Sequence, residues 1–241
     1  MVAKATKPAQ VYIMNAQKGG AGKTALCLLL LHHLNAAGRP VKLIEFDKAN
    51  PDAWMAADFL TDRETKFQLD IDKQLSWETA ESIIMEGAGY SIIVNLPAQC
   101  ETAVESHLVP LLREDRDTRY RTIWSLGPFH DCILLLEKYL AFQTPEPVYV
   151  VRSLFQVDDE SDFEPFEKAR QQMDLRGGEV LDHVESPFRT RRLIFEGAPQ
   201  GDNSFARQSF ETILKNSTHL VRGRTKDFLR KMTPALEALT R

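Results

Sequence analysis

The chain has 241 residues, of which 43% are hydrophobic and 27% charged, and its formal net charge is −4. The length predicts one α/β domain with a substantial core, and the composition is ordinary for a globular protein. The acidic balance excludes a globally basic nucleic-acid binder, so any contact with DNA must come from a local patch of positive charge.

The cysteines and the apolar segments bear on where the protein works. Cys27, Cys100 and Cys132 are scattered and form no C-x-x-C pair, which gives no zinc signature and fits a reducing cytoplasm. Met1–Pro8 is short and polar and lacks the features of a signal peptide. The longest apolar run, Ala25–Leu31, is too short to cross a bilayer. We therefore expect a cytoplasmic protein that makes no membrane contact.

The most informative stretch is Gln10–Thr24, which reads QVYIMNAQKGGAGKT. An apolar strand leads into a glycine-rich turn, and an apolar helix, Ala25–Ala37, follows it. This order is the setting of a phosphate-binding loop, in which backbone N–H groups and the helix N-terminus surround a polyphosphate. In such a loop Lys23 reaches the β- and γ-phosphates, and the Thr24 hydroxyl binds Mg²⁺ directly. The predicted phosphate-binding residues are Lys18, Gly19, Gly20, Ala21, Gly22, Lys23, Thr24 and Ala25.

The loop departs from the general pattern G-x-x-x-x-G-K-[ST], because Gln17 occupies the position of the first glycine and Lys18 opens the turn. The run K-G-G-x-G-K-T resembles the deviant Walker A loop of the ParA/MinD family, and NAQKGGAGKT resembles its partition branch. This resemblance implies a P-loop NTPase fold, with a mostly parallel twisted sheet flanked by helices, that binds ATP and Mg²⁺. It also implies an ATP-dependent homodimer in which Lys18 of one subunit acts catalytically on the nucleotide of the other.

A second acidic motif follows the next predicted strand, Val41–Phe46, which ends in Glu45-Phe46-Asp47. Ligands of parallel α/β sheets gather at the carboxyl ends of the strands, so Asp47 is expected near the γ-phosphate. The segment IEFDKANPD resembles the family's D-x-D motif, with Glu45 at the first acidic position. The resemblance implies that Asp47 is catalytic, orients the attacking water and contacts Mg²⁺ through water. Alternatively, Asp47 caps a helix over Ala49–Phe59.

Two departures from the family pattern concern the ends of later strands. Asn95 stands where the family carries the aspartate of a D-x-P motif; it can still accept from a Mg²⁺-bound water but lacks the charge that strengthens such a bond. Arg152 and Ser153 stand where the family commonly has an asparagine that reads adenine, so the base contact is unassigned. The segment Pro187–Pro199 resembles the family loop that wraps adenine, which implies that Pro187 and Phe188 contact the nucleotide.

The pattern of apolar residues predicts the remaining elements of one domain spanning 1–241. They are a surface excursion (Asp58–Ser76), helices (Trp77–Glu86, Glu101–Arg113, Asp131–Phe142, Phe163–Met173), strands (Tyr90–Leu96, Thr122–Leu126, Pro147–Val151, Glu179–Val184), a charged bend (Glu114–Arg121) and an acidic loop (Leu154–Asp162).

The C-terminal segment 204–241 has a helical pattern and is expected to pack on the domain, with a break at Gly223. Basic residues in this segment recur at intervals of three and four and are therefore expected along one helix face: Lys215, His219, Arg222, Lys226 and Arg230. Arg224 and Lys231 are expected alongside. Two interpretations are open. The face is simply solvated, or it binds nonspecific DNA, as basic C-terminal residues of ParA-type dimers do, in a salt-dependent manner. The predicted DNA-binding residues are Lys215, Arg222, Arg224, Lys226 and Arg230.

The resemblance implies a slow ATPase, stimulated by an unidentified adaptor protein, that acts as a switch in plasmid partition, stability or conjugative transfer. Such a protein is cytoplasmic and associates with the nucleoid through DNA. Two alternatives are a related ATPase that positions a cell-surface or secretion machine without touching DNA, and a weakly hydrolysing, nucleotide-gated interaction module. Asn95 motivates the second alternative.

Overall fold

A computed structural model describes residues 8–16, 18–199 and 205–241. A seven-stranded sheet with the order β3-β2-β4-β1-β5-β6-β7 forms the centre, and every neighbouring pair is parallel. The predicted α/β class with a mostly parallel sheet is therefore confirmed. The strands are β1 (Gln10–Asn15), β2 (Val41–Glu45), β3 (Lys66–Gln68), β4 (Ser91–Asn95), β5 (Arg119–Leu126), β6 (Val148–Ser153) and β7 (Val180–His183).

Helices cover both faces of the sheet. They are α1 (Lys23–Ala36), α2 (Asp52–Ala56), α3 (Gln74–Met85), α4 (Glu101–Ala103), α5 (Val109–Glu114), α6 (His130–Leu140), α7 (Glu164–Arg170), α8 (Phe188–Phe195), α9 (Phe210–Asn216) and α10 (His219–Thr240). A π-helical turn, Val104–Leu108, joins α4 to α5, and a short hairpin pairs β8 (Ala198–Pro199) with β9 (Phe205–Ala206).

The central strand shows why both faces are covered. In β1, Val11 and Ile13 pack into the cluster formed with α3, α5 and α6, whereas Tyr12 and Met14 pack into the cluster formed with α1, α9 and α10. A strand with apolar side chains on both faces is stable only between two layers of helices. Because all seven strands are parallel, their carboxyl ends lie on the same side of the sheet, where the glycine-rich loop follows β1.

Three sequence expectations about the elements were wrong. The predicted surface excursion 58–76 contains the edge strand β3, which is too short and too polar to show an apolar pattern. The predicted bend 114–121 contains the first residues of β5. The C-terminal break lies at Ser217 rather than Gly223, because the Thr218 side chain accepts a hydrogen bond from the Val221 amide and caps α10 there.

Candidate functional site

The glycine-rich loop between β1 and α1 borders a cavity of about 370 Å³ at the carboxyl ends of the strands. This volume lies within the range of small-molecule sites. Gly20 and Gly22 adopt φ angles of 81° and 86°, the left-handed region that only glycine enters freely. All eight residues predicted to bind phosphate line the cavity: Lys18, Gly19, Gly20, Ala21, Gly22, Lys23, Thr24 and Ala25.

Side chains from the two strands beyond β1 hold the loop in place. The hydroxyl of Ser153, at the end of β6, donates to the Ala21 carbonyl over 2.6 Å, and the hydroxyl of Ser125 in β5 donates to the same oxygen. The amide of Gln156 donates to the Gly20 carbonyl. These bonds satisfy the carbonyl groups of Gly20 and Ala21 and so hold the loop backbone against β5 and the end of β6.

On the opposite side of the loop, a buried polar chain runs between three side chains. Lys23, which is only 7% exposed, donates from Nζ to Oδ1 of Asn95 over 3.3 Å. The Nδ2 group of Asn95 donates to Oε1 of Glu45 over 2.8 Å, and this oxygen also accepts from the Asp47 amide over 3.0 Å. Burial raises the pKa of Glu45 to about 7, against the opposing effects of these hydrogen bonds and of the Lys23 ammonium.

Asp47 lies at the cavity, and it is not the cap of a helix over Ala49–Phe59, because Pro51 is the N-cap residue of α2. Its side chain lines the cavity, and its Oδ1 atom also accepts from the Asn50 amide over 2.9 Å, which stabilises the turn before α2. The helix itself begins at Asp52 rather than at Ala49. One Asp47 oxygen is thus held by the turn, which fixes the orientation of the carboxylate beside the cavity.

Lys18 lies at the mouth of the cavity and contacts its own subunit. Its Nζ atom is 2.9 Å from Oδ2 of Asp131 at the start of α6, and it lies 5.1 Å from the ring centre of Phe129. The hydrogen bond with Asp131 raises the pKa of Lys18 and lowers that of Asp131. Asp131 is 67% exposed, so solvent screens this ion pair and leaves it weak enough to open.

Aromatic residues line the part of the cavity formed by the segments after β6 and β7 and by α8, and His183 is a cavity residue that the sequence did not predict. Phe155, His183, Ser186, Arg191 and Phe195 line this part of the cavity. His183 is 2% exposed, and its Nδ1 atom has no hydrogen-bond partner among the residues described. Burial lowers the pKa of His183 to about 4, so the ring is neutral at pH 7. The available signal was its position at the end of the last parallel strand.

The family resemblance links three positions to adenine, namely Pro187, Phe188 and Arg152. Pro187 is the N-cap residue of α8, and this helix occupies the segment where a loop was expected. The side chain of Phe188 lies outside the described part of the structure. Arg152 is engaged elsewhere, since its Nε atom bonds Asp182 over 2.8 Å and its Nη1 atom bonds Glu167 over 3.0 Å. The Arg152 guanidinium therefore links β6, β7 and α7.

The residues predicted to bind DNA lie on α9 and α10. Lys215, Arg224, Lys226 and Arg230 are exposed, whereas Arg222 is half-buried and donates to the Ser217 carbonyl over 3.0 Å. The opposite face of α10 packs against the domain through apolar side chains. Three further basic residues lie on α8, namely Arg189, Arg191 and Arg192. Arg189 and Arg224 line the same small groove. The sequence analysis had assigned that segment to the nucleotide alone.

Among the helices in the described ranges, none is both long enough and apolar enough to traverse a membrane.

Comparison with family models gives no match. Among curated proteins, the chain is 25% identical over 193 residues to Protein MobD of Acidithiobacillus ferrooxidans, which covers 76% of this chain and 83% of that protein.

Three solved structures share the fold. The MinC:MinD cell division protein complex of Aquifex aeolicus matches with a TM-score of 0.54 and 14% identity, covering 93% of this chain and 96% of the other. A plasmid partition protein of Borrelia burgdorferi bound to AMPPNP gives 0.52 and 12%, covering 95% and 99%. The ParA protein of pNOB8 bound to nonspecific DNA gives 0.51 and 12%, covering 94% and 99%. The chain therefore has the ParA/MinD fold, as the phosphate-binding loop predicted.

Proposed function

We propose that this protein is a ParA/MinD-type ATPase that binds ATP with Mg²⁺, forms a dimer around two nucleotides and acts as a switch in plasmid partition, stability or conjugative transfer. The observation that carries the proposal is the glycine-rich loop, whose buried Lys23 and adjoining Thr24 line a cavity of nucleotide size at the N-terminus of α1. Backbone amides, a lysine and a helix N-terminus together favour a polyphosphate over other ligands.

The residues around the loop also fit Mg²⁺. This ion takes oxygen ligands and is usually bound through one or two carboxylates together with the phosphates of the substrate. Thr24 is half-buried and lines the cavity, and Asp47 lines the same cavity. When bound, Mg²⁺ would neutralise charge that develops on the phosphates, with Thr24 as a direct ligand and Asp47 acting through water.

Catalysis at such a site depends on positioning and electrostatics, because phosphoryl transfer requires little covalent chemistry from the protein. Lys23 would hold the β- and γ-phosphates, and Asp47 would orient the attacking water. In the dimer, Lys18 would leave Asp131 and reach the nucleotide of the partner subunit. We expect turnover to be slow until an adaptor protein completes the site.

An ATPase assay tests the proposal. The wild-type chain should bind ATP and release phosphate, whereas Lys23→Ala should abolish binding because it removes the buried ammonium beside the loop. Asp47→Ala should retain binding but lower phosphate release at least about tenfold, because it removes the residue that orients water. Absence of ATP binding by the wild type would refute the assignment. Equal phosphate release by wild type and Asp47→Ala, with DNA present, would favour the nonhydrolysing interaction module.

We propose that the partner surface of this switch is formed by the exposed basic side chains of α10. Arg224, Lys226 and Arg230 are exposed there, while the similar fold of a ParA bound to nonspecific DNA makes DNA the preferred partner. Contacts to phosphates alone would be blind to sequence and strongly weakened by salt. The alternative is an ATPase that positions a cell-surface or secretion machine without binding DNA.

Charge reversal distinguishes these alternatives. Changing Arg224, Lys226 and Arg230 together to glutamate should abolish ATP-dependent DNA binding, measured by fluorescence anisotropy at several salt concentrations. A matched control reverses three exposed cations on the other face of the sheet, Lys138, Lys168 and Arg170. If the triple reversal on α10 lowered DNA binding no more than the control reversal does, the basic side chains of α10 would be excluded as the DNA-binding surface.

A further inference from the structure

Lys23 is linked to a carboxylate through Asn95, and this carboxylate comes from β2 and not from β4. β4 ends in Asn95, and its register partner in the neighbouring strand is Glu45. In the sequence these two residues were separate observations: Asn95 stands where the family carries an aspartate, and Glu45 stands at the first acidic position of the D-x-D motif. Their parallel pairing puts an amide and a carboxylate side by side directly under Lys23.

The hydrogen bonds give this pair a direction. Asn95 accepts from Lys23 with Oδ1 and donates to Glu45 with Nδ2, so its amide dipole extends from the carboxylate to the ammonium. Glu45 is fully buried, and its Oε2 atom has no partner in the described structure. A buried carboxylate with one unsatisfied oxygen costs free energy unless its charge is used by a neighbouring group. The nearest cation along this chain of hydrogen bonds is Lys23.

We infer that Glu45 is a positioning residue, which through Asn95 supplies the negative charge that orients the Lys23 ammonium towards the phosphates. Glu45 and Asn95 thus act as a single unit in which the β2 carboxylate serves in place of the carboxylate that is absent from β4. The inference rests on the proposed ATPase function and specifies how its missing β4 carboxylate is replaced. It predicts that the two residues can exchange their chemistry, since only the location of the charge differs.

The test is a charge exchange between the two positions. Glu45→Gln keeps an oxygen that can accept from Asn95 and from the Asp47 amide, and therefore removes the charge with little change in shape. Asn95→Asp alone places two carboxylates in hydrogen-bond contact, where like charges repel. The double variant Glu45→Gln with Asn95→Asp restores one carboxylate, now directly beside Lys23, with the glutamine amide donating to it.

The readout is binding of a nonhydrolysable ATP analogue by calorimetry at about pH 8, above the Glu45 pKa of about 7, with and without Mg²⁺, together with kcat and KM for ATP. Glu45→Gln should weaken analogue binding by about tenfold or more, because hydrogen bonds to charged groups contribute strongly. The double variant should recover to within about threefold of the wild type, a non-additivity expected of residues that act as one unit. Recovery by charge exchange would not be expected if Glu45 had only a packing role.

Glu146 provides a matched control, because it is also buried and also has an Oε2 atom without a partner in the described ranges, but it lies outside the cavity. Glu146→Gln should lower the urea midpoint without changing analogue affinity. If Glu45→Gln bound the analogue like the wild type, or if the double variant bound no better than Glu45→Gln, the inference would be wrong while the ATPase proposal stood. Absence of analogue binding by the wild type would overturn both.

Discussion

The two left-handed glycines of the loop have the same backbone conformation but different surroundings, which makes them a sensitive test of the loop geometry. At Gly22 a Cβ atom would lie 2.7 Å from Cζ of Phe155 and 3.1 Å from Oγ of Ser153. At Gly20 no atom lies within 4 Å of such a Cβ. Alanine at either position has to adopt a left-handed φ, but only alanine at position 22 must also displace a neighbour.

The expected magnitudes follow from these two contributions. The left-handed conformation costs an alanine about 1–2 kcal/mol relative to glycine, so Gly20→Ala should lower the free energy of unfolding by that amount. Gly22→Ala should add about 1–3 kcal/mol for the steric conflict, towards the lower end because Phe155 is half-buried and its ring can shift. The difference between the two variants is therefore expected to be about 1–2 kcal/mol.

Urea unfolding of the nucleotide-free protein, followed by circular dichroism, measures both costs. The measurement is repeated in a Phe155→Ala background, where Gly22→Ala should become nearly as mild as Gly20→Ala, because the closest contact is gone. Equal costs for the two glycine variants in the wild-type background would refute the steric reasoning. So would a cost of Gly22→Ala that Phe155→Ala leaves unchanged.

Three further predictions concern residues around the cavity. Burial lowers the pKa of His183 to about 4, so between about pH 6.5 and pH 4 the unfolded chain binds a proton that the folded chain does not. The free energy of unfolding is therefore unaffected above this window. It should fall by up to about 3 kcal/mol as the pH drops through the window. His183→Phe should show a correspondingly smaller loss in urea unfolding between about pH 7 and pH 5, and identical pH profiles would contradict the buried neutral ring. Arg152→Ala should lower the free energy of unfolding by about 1–2 kcal/mol, because its guanidinium contacts two carboxylates. The affinity for an ATP analogue should stay unchanged, because these carboxylates lie outside the cavity lining. Weaker analogue binding with unchanged stability would instead show that Arg152 contacts the adenine base. Asp131→Asn frees Lys18 and should favour ATP-dependent dimerisation by about two- to fivefold in sedimentation experiments, since exposed ion pairs are weak; weaker dimerisation would show that Asp131 supports the interface.

The loop was predictable from the sequence because its determinants are local. Strand, glycines, lysine and helix lie within one short stretch, and each residue type is needed for a backbone reason. The buried strands β1 and β4 were predictable for a related reason, since strands covered on both faces read as continuous apolar runs. The edge strand β3 was not, because it gains its stability from pairing with β2 and shows no apolar pattern of its own.

The parts of the site that escaped prediction depend on contacts between residues far apart in the chain. Asn95 and Glu45 were both recognised near the ends of strands, but their contact follows from the register of β2 against β4, which neither segment encodes alone. His183 and Arg152 both come from the ends of neighbouring strands, and only tertiary structure decides that one lines the cavity and the other does not. A side chain at the carboxyl edge of a parallel sheet is thus a candidate, and its contacts decide its role.

The order of the strands separates two tasks around the loop. β1, which carries the loop, lies between β4 and β5 in the sheet. On the β5 and β6 side, Ser125 and Ser153 bind the loop carbonyl of Ala21 and so set the backbone. On the β4 and β2 side, Asn95 contacts Lys23, and Glu45 in turn contacts Asn95. These two groups share no side chain, so under the role proposed for Glu45 the carboxylate of β2 can compensate for Asn95 without altering the loop backbone.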